Sequence, residues 1–157
     1  MQAMSSVNLR KHKHERGVSL IEAMVAVVIL SIGLLGVAAL QAKALRNNLS
    51  ANERSMAVIQ AYSIFDAMRA NASVASAGGY NFTRTSNCTA PTSTSNPNTL
   101  ALNDLSAWIV AMQSNLGSSA CGDVSCSAGA CTVKVYWNDQ HGTGGSAGQF
   151  VEVKGRI

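Results

Sequence analysis

From Ala23 to Leu40 no side chain carries a charge, and Ser31 is the only one with a polar group. At about 1.5 Å per residue this stretch spans roughly 27 Å, close to the hydrocarbon thickness of a bilayer. It predicts one membrane-spanning helix. Beyond it, Leu45, Leu49, Met56 and Ile59 recur on one helical face, and Val58, Tyr62 and Phe65 on another. Neither Pro nor Gly interrupts residues 37 to 77. The helix is therefore expected to run on to about Asn71, roughly 80 Å in all. One apolar face would pack on the chain's own head and the other would meet neighbouring molecules.

The second half changes period. Residues 83 to 99, TRTSNCTAPTSTSNPNT, are rich in Ser, Thr and Asn and hold both prolines, the composition of an irregular connection that Cys88 pins to the body. In NDLSAWIVAMQSNLG, Asn103 or Asp104 would cap a short amphipathic helix that ends at Gly117. Its apolar side carries Leu105, Trp108, Ile109, Met112 and Leu116, so Trp108 is expected in the core. CTVKVYWND alternates as a half-buried strand does, with Val133, Val135 and Trp137 opposite Thr132, Lys134 and Tyr136. A Gly-rich stretch, QHGTGGSAGQ, joins it to QFVEVKGRI, whose Val151 and Val153 share a face, giving a hairpin with a long flexible loop. The class this order of elements predicts is α+β.

Composition locates the charge. The chain is 47% hydrophobic and 13% charged, which for 157 residues fits a protein with part of its length in lipid. Its net charge is +4, but Arg10, Lys11, Lys13 and Arg16 all precede Gly17, with Glu15 the one acid among them. Setting that leader aside leaves eight basic and seven acidic residues, a net charge of +1. So neutral a body has no overall electrostatic drive toward DNA, and DNA is not favoured as a partner, although Lys134, Lys154 and Arg156 would allow a local basic patch. The positive-inside bias places the leader in the cytoplasm and the rest across the membrane; Lys43 and Arg46 weaken this asymmetry without reversing it.

Glu22 stands at the mouth of the apolar run, where a charge is costly. An ordinary secretory signal, cut at Ala42-Lys43-Ala44, has a core of only about 7–15 apolar residues and would not begin with an acid. An uncleaved anchor tolerates Glu22 near a helix N-terminus but leaves Gly17 unexplained. The string RGVSLIEAMVAVVILSIGLLGVAALQ resembles the type IV prepilin signal, a short basic leader ending in Gly, then a new N-terminus, then a hydrophobic helix with Glu at its fifth position. In that family a prepilin peptidase cuts after the Gly and methylates the new amine. The resemblance implies cleavage between Gly17 and Val18, N-methylation of Val18, and a subunit-docking role for Glu22. The family usually has Phe where Val18 stands. The physical logic is that cutting creates an ammonium, and a buried amine and carboxylate offset each other's desolvation only as a pair.

A narrower likeness lies in ERSMAVIQAYSIFDAMRANAS, residues 53 to 73, which with SIGLLGVAALQ is similar to minor pilins of the PilV type. There the long helix ends in an Arg-Ala-Asn signature, here Arg69, Ala70 and Asn71. The resemblance implies a pilin-like fold, a long N-terminal helix with a small antiparallel sheet against its outer half. It divides the chain into a cleaved leader (1–17), a hydrophobic transmembrane and filament-core helix (18–44), its amphipathic continuation (45–75) and a disulfide-stapled head (76–157). It implies a structural subunit acting in initiation and assembly of the filament. The partners implied are prepilin peptidase, other minor pilins, the major pilin, the inner membrane and the pilus assembly machinery, with the inner membrane and then the cell-surface pilus as location. Type II secretion pseudopilins share the signal and are the alternative within the class. A pilin-like adhesion or DNA-binding module, and a secreted enzyme behind an ordinary signal, are the alternatives outside it.

Cys88, Cys121, Cys126 and Cys131 all follow the span, and an even count in an exported segment reads as two disulfides. Of three possible connectivities, Cys88–Cys131 with Cys121–Cys126 is the expectation. The first bond would close a loop of about 43 residues, worth on the order of 4 kcal/mol. The spacings lack the C-x₂-C pairs of a zinc site, and His141 in its Gly-rich loop reads as solvated, so no metal is expected. No nucleophile with a base, paired acids, G-x-S-x-G or P-loop stands in the sequence, and GTGGSAG has no helix after it. No catalytic residue and no cofactor is expected.

Overall fold

The computed structural model describes residues 17, 19–91 and 99–157; residues 1–16, Val18 and residues 92–98 of the polar connection lie outside the described residues. The elements are α1 (Leu20–Ala70), α2 (Ala72–Ser76), α3 (Thr99–Leu116), β1 (Cys121–Ser127), β2 (Ala130–Trp137) and β3 (Gln149–Arg156). The three strands form one antiparallel sheet in the order β1-β2-β3. A long N-terminal helix followed by a small antiparallel sheet is an α+β arrangement consistent with the pilin-like fold. The chain divides into two compact units, residues up to Leu40 and Gln41–Ile157.

The second unit holds the core. From α1 it takes a stripe of Ala57, Gln60, Ala61, Ile64, Phe65 and Met68, the i, i+3, i+4 spacing of one helix face. Of the faces read from the sequence, Leu45, Leu49 and Ile59 are exposed and Phe65 is buried, but Tyr62 is 51% exposed and the small Ala57 and Ala61, which the reading left out, are fully buried. The alanines let other elements approach closely. From α3, Leu105, Trp108, Ile109, Met112 and Leu116 are buried as expected, and the Trp108 indole donates to the Gln60 carbonyl at 2.8 Å. Val124, Val133, Val135 and Trp137 complete the core from the sheet. In β1, a Cβ at Gly122 would come within 2.2 Å of the Trp108 ring, so the indole occupies the room that a side chain there would need.

Two local readings differ from the structure. α3 begins at Thr99, so neither Asn103 nor Asp104 is its N-cap. Asp104 accepts instead from the buried Tyr80 hydroxyl at 2.5 Å. The sequence reading also missed β1, whose CGDVSCS contains a single β-branched residue.

The disulfides pair Cys88 with Cys121 and Cys126 with Cys131, not Cys88 with Cys131 and Cys121 with Cys126. The strand explains the difference. Cys121 and Cys126 lie five residues apart along β1, about 16 Å at roughly 3.3 Å per residue, beyond the 4.4–6.8 Å or so that Cα atoms of a disulfide usually span. Ala128 and Gly129 both have positive φ (49° and 78°) and make the tight two-residue turn favoured between twisted strands. That turn sets Cys126 directly opposite Cys131, leaving Cys121 to Cys88 with Cα atoms 5.6 Å apart.

In the chain-entropy model, replacing Cys88 and Cys121 together with Ala is expected to cost about 3–4 kcal/mol, because that bond closes a separation of 33 residues. The Cys126/Cys131 double variant should lose about 2 kcal/mol, for a separation of 5. Denaturant melts of the two variants would measure the order; a larger loss for the hairpin pair would reverse it.

Candidate functional site

In the first unit, the N–H groups of Glu22 and Ala23 donate to the Ser19 carbonyl at 2.9 and 3.1 Å, which starts α1. Glu22 thus occupies the first turn, among N–H groups that have no acceptor within the helix, where a carboxylate is favourable. Gly17 is exposed with open space around its Cα, and Val18 lies outside the described residues. From Leu20 to Leu40 the helix shows apolar side chains on every side, Leu20, Val27, Leu30, Leu35 and Leu40 among them. The Ser31 hydroxyl donates to the Val27 carbonyl at 2.7 Å, so even this polar group is satisfied within the helix. The helix is long and apolar enough to cross a membrane. What such a surface offers is packing, with one carboxylate at its mouth as the polar feature.

In the second unit, the Arg69, Ala70, Asn71 signature marks the end of α1. Arg69 pairs with Asp66 at 2.9 Å, both side chains being exposed, and its guanidinium lies 5.9 Å from the centre of the buried Phe65 ring. Asn71 leaves the helical path (φ −129°, ψ 49°), and its amide donates to the Tyr80 hydroxyl at 3.4 Å. Burial and the bond to Asp104 push the Tyr80 phenol up to about 12. A value raised above the unfolded one means that the neutral hydroxyl's stabilisation is complete below about pH 10 and is lost as pH rises toward 12. Tyr80→Phe is therefore expected to lower stability by about 1–3 kcal/mol at neutral pH. Melts at pH 7 and pH 11 should show the gap between wild type and variant narrowing at the higher pH.

The sheet surface is polar and paired. Lys134 and Lys154 reach Glu152 at 3.0 and 2.7 Å, and these bonds, Lys154 first, hold the Glu152 carboxyl below its usual range. Two of the three cations of the basic patch considered for DNA thereby share one acid, which offsets one of their charges. The Tyr136 hydroxyl donates to Asp123 at 2.9 Å, and the Arg84 guanidinium lies 4.6 Å from the Tyr136 ring centre.

His141 is exposed, as expected of a solvated loop residue, but two carboxylates stand beside it. Its Nε2 lies 3.4 Å from Glu53 Oε1 and 3.6 Å from Asp139 Oδ1. Burial raises the Glu53 carboxyl, His141 pulls it down and Asp139 adds to the rise; the Trp137 indole favours the charged form slightly without closing an ordinary hydrogen bond. Sequence reasoning missed this meeting because Glu53 and His141 are far apart in the chain and form no local motif. The loop itself is folded, not merely flexible: the Asp139 N–H donates to the Ser146 carbonyl at 2.9 Å and the Gly142 N–H to the Asp139 carbonyl at 3.0 Å.

Residues 12–38 match the family model described as the prokaryotic N-terminal methylation motif. No curated protein and no solved structure matches the chain. The match covers Gly17, Val18, Glu22 and most of the apolar run, and it supports a type IV pilin-like or pseudopilin-like structural subunit. With the apolar helix, it supports a protein anchored in the inner membrane. It implies processing by a prepilin peptidase and assembly with other pilins and the pilus machinery.

Proposed function

We propose that this chain is a minor pilin of the PilV type, cut by a prepilin peptidase between Gly17 and Val18, methylated at Val18, and incorporated into a type IV pilus during initiation of the filament. The observation that carries this reading is Glu22 in the first turn of a helix uncharged through Leu40, five residues after Gly17 and within the matched methylation motif. The leader stays in the cytoplasm, residues 18–44 lie in the inner membrane and then in the filament core, residues 45–75 continue the helix, and residues 76–157 form the periplasmic head. Glu22 docks against the α-amine of its own or a neighbouring subunit, each group offsetting the other's desolvation. The role is structural, with no catalytic residue. The Arg69, Ala70, Asn71 signature favours a pilus over a secretion pseudopilin.

The test is the N-terminal sequence and intact mass of the membrane-extracted chain, made with and without a prepilin peptidase. A methylated Val18 start that depends on the peptidase is expected. A start near Leu45, or an uncut chain in the presence of the enzyme, would overturn the reading. Co-purification with pilus components, as opposed to secretion components, then separates the two filament types.

A further inference from the structure

We propose that Glu53, Asp139 and His141 bind one divalent transition-metal cation of the zinc class, with water completing its coordination. This goes beyond the pilin reading and does not depend on it. Glu53 comes from α1, and Asp139 and His141 from the loop between β2 and β3, all within the Gln41–Ile157 unit. One ligand atom from each lies within 4.8 Å of the other two.

The distances are long for direct hydrogen bonds and fit a shared cation. The His141 Nε2 separations of 3.4 and 3.6 Å exceed the usual N–H···O range of about 2.7–3.2 Å. Ligand atoms held about 2.0–2.2 Å from a tetrahedral zinc stand roughly 3.3–3.6 Å from one another, which these separations match.

Asp139 supplies an independent observation. Its side chain is 7% exposed, Oδ2 accepts from the Ser50 hydroxyl at 2.6 Å, and the buried Oδ1, which faces His141, accepts no hydrogen bond. Glu53 Oε2 is likewise buried without an ordinary hydrogen bond, the Trp137 indole favouring its charged form only slightly. Carboxylate oxygens buried in this way are costly unless a cation answers them. The Ser50 bond orients Asp139 as an outer partner orients a metal-binding carboxylate. Backbone bonds between Asp139 and Ser146, and between Gly142 and Asp139, shape the loop around that residue, so the ligands are brought together by the fold itself.

The donor set selects the metal. Calcium and magnesium take oxygen ligands almost exclusively, whereas an imidazole with two carboxylates suits zinc and its neighbours. His141 and Glu53 also line an open cleft with Gly117, Ser118, Asn138 and Gln140, which gives water access to the cation. Bound there, the cation ties the β2–β3 loop to α1.

The test uses the full chain in detergent, stripped with EDTA, on a background with His12→Ala and His14→Ala to remove the leader's own imidazoles. Calorimetric titration with zinc chloride is expected to show one site per chain. His141→Ala and Glu53→Gln should each weaken it at least tenfold, and the melting temperature of each metal-free variant serves as its folding control. His141 is the more exposed position, so its variant decides the matter if Glu53→Gln does not fold. No zinc binding up to millimolar concentration, binding unchanged by His141→Ala, or tighter binding of calcium than of zinc would each overturn the proposal.

Discussion

Glu22→Ala is expected to leave the chain inserted in the membrane and cut after Gly17, yet absent from filaments. The substitution removes a charge from the mouth of an apolar helix, so insertion becomes easier. Incorporation is another matter. A subunit entering the filament would carry the new α-amine into low dielectric without its carboxylate, and breaking a buried ion pair by removing one member costs about 3–5 kcal/mol. At 1.4 kcal/mol per tenfold, that is a hundredfold or greater loss of incorporation. Glu22→Gln keeps the size and removes the charge, and should fail in the same way. Comparing the chain in membranes with the chain in sheared pili by immunoblot measures both. Normal incorporation of either variant would mean that Glu22 serves only the helix start at Ser19, where its first-turn position already favours it.

In the head, Trp108→Ala is expected to have the largest effect on stability, a loss of about 3–5 kcal/mol. The indole is 4% exposed, stands on the buried face of α3, and bonds to the Gln60 carbonyl of α1, so one side chain joins the helix, its neighbour and the sheet. Truncation removes its packing, leaves a cavity and takes one donor from the Gln60 carbonyl, which keeps the Ser63 hydroxyl at 2.9 Å. Against the 5–15 kcal/mol or so that holds a typical domain together, that is a large fraction. Trp108→Phe keeps part of the ring and loses the hydrogen bond, and should fall between. Thermal and denaturant melts of the full chain in detergent would show it; a loss of under about 1 kcal/mol for the alanine variant would place the stability elsewhere.

These two predictions draw on parts of the molecule that were legible to different degrees. The apolar run, Glu22 and the alternation of Val133, Val135 and Trp137 are local patterns, and local patterns survive in a sequence. α3 was legible from the spacing of Leu105, Trp108, Ile109, Met112 and Leu116, although its start was placed five or six residues late because Asn103 and Asp104 look like caps. The buried stripe of α1 was legible only in part, for a physical reason. Large side chains draw the eye, but Ala57 and Ala61 are what allow close approach, and their burial depends on partners distant in the chain. β1 was hidden because Gly122, Cys121 and Cys126 carry little strand propensity and are buried through contacts with Trp108 and through the disulfides. Once β1 is in place the cysteine pairing follows from its register; without it the three connectivities remain open. The meeting of Glu53, Asp139 and His141 is purely tertiary, and no spacing rule reaches from α1 to the last loop.

The close fit of Gly122 beneath the Trp108 ring also bears on how this head can change over generations. With 2.2 Å between a hypothetical Cβ and the indole, no side chain enters at position 122 while the Trp remains, and a smaller residue at 108 leaves a hole that only a larger residue at 122 would fill. The two positions are therefore expected to be inherited as a pair: descendants that keep this Trp keep this Gly, and a lineage that loses one passes through a weakened intermediate before the other can follow.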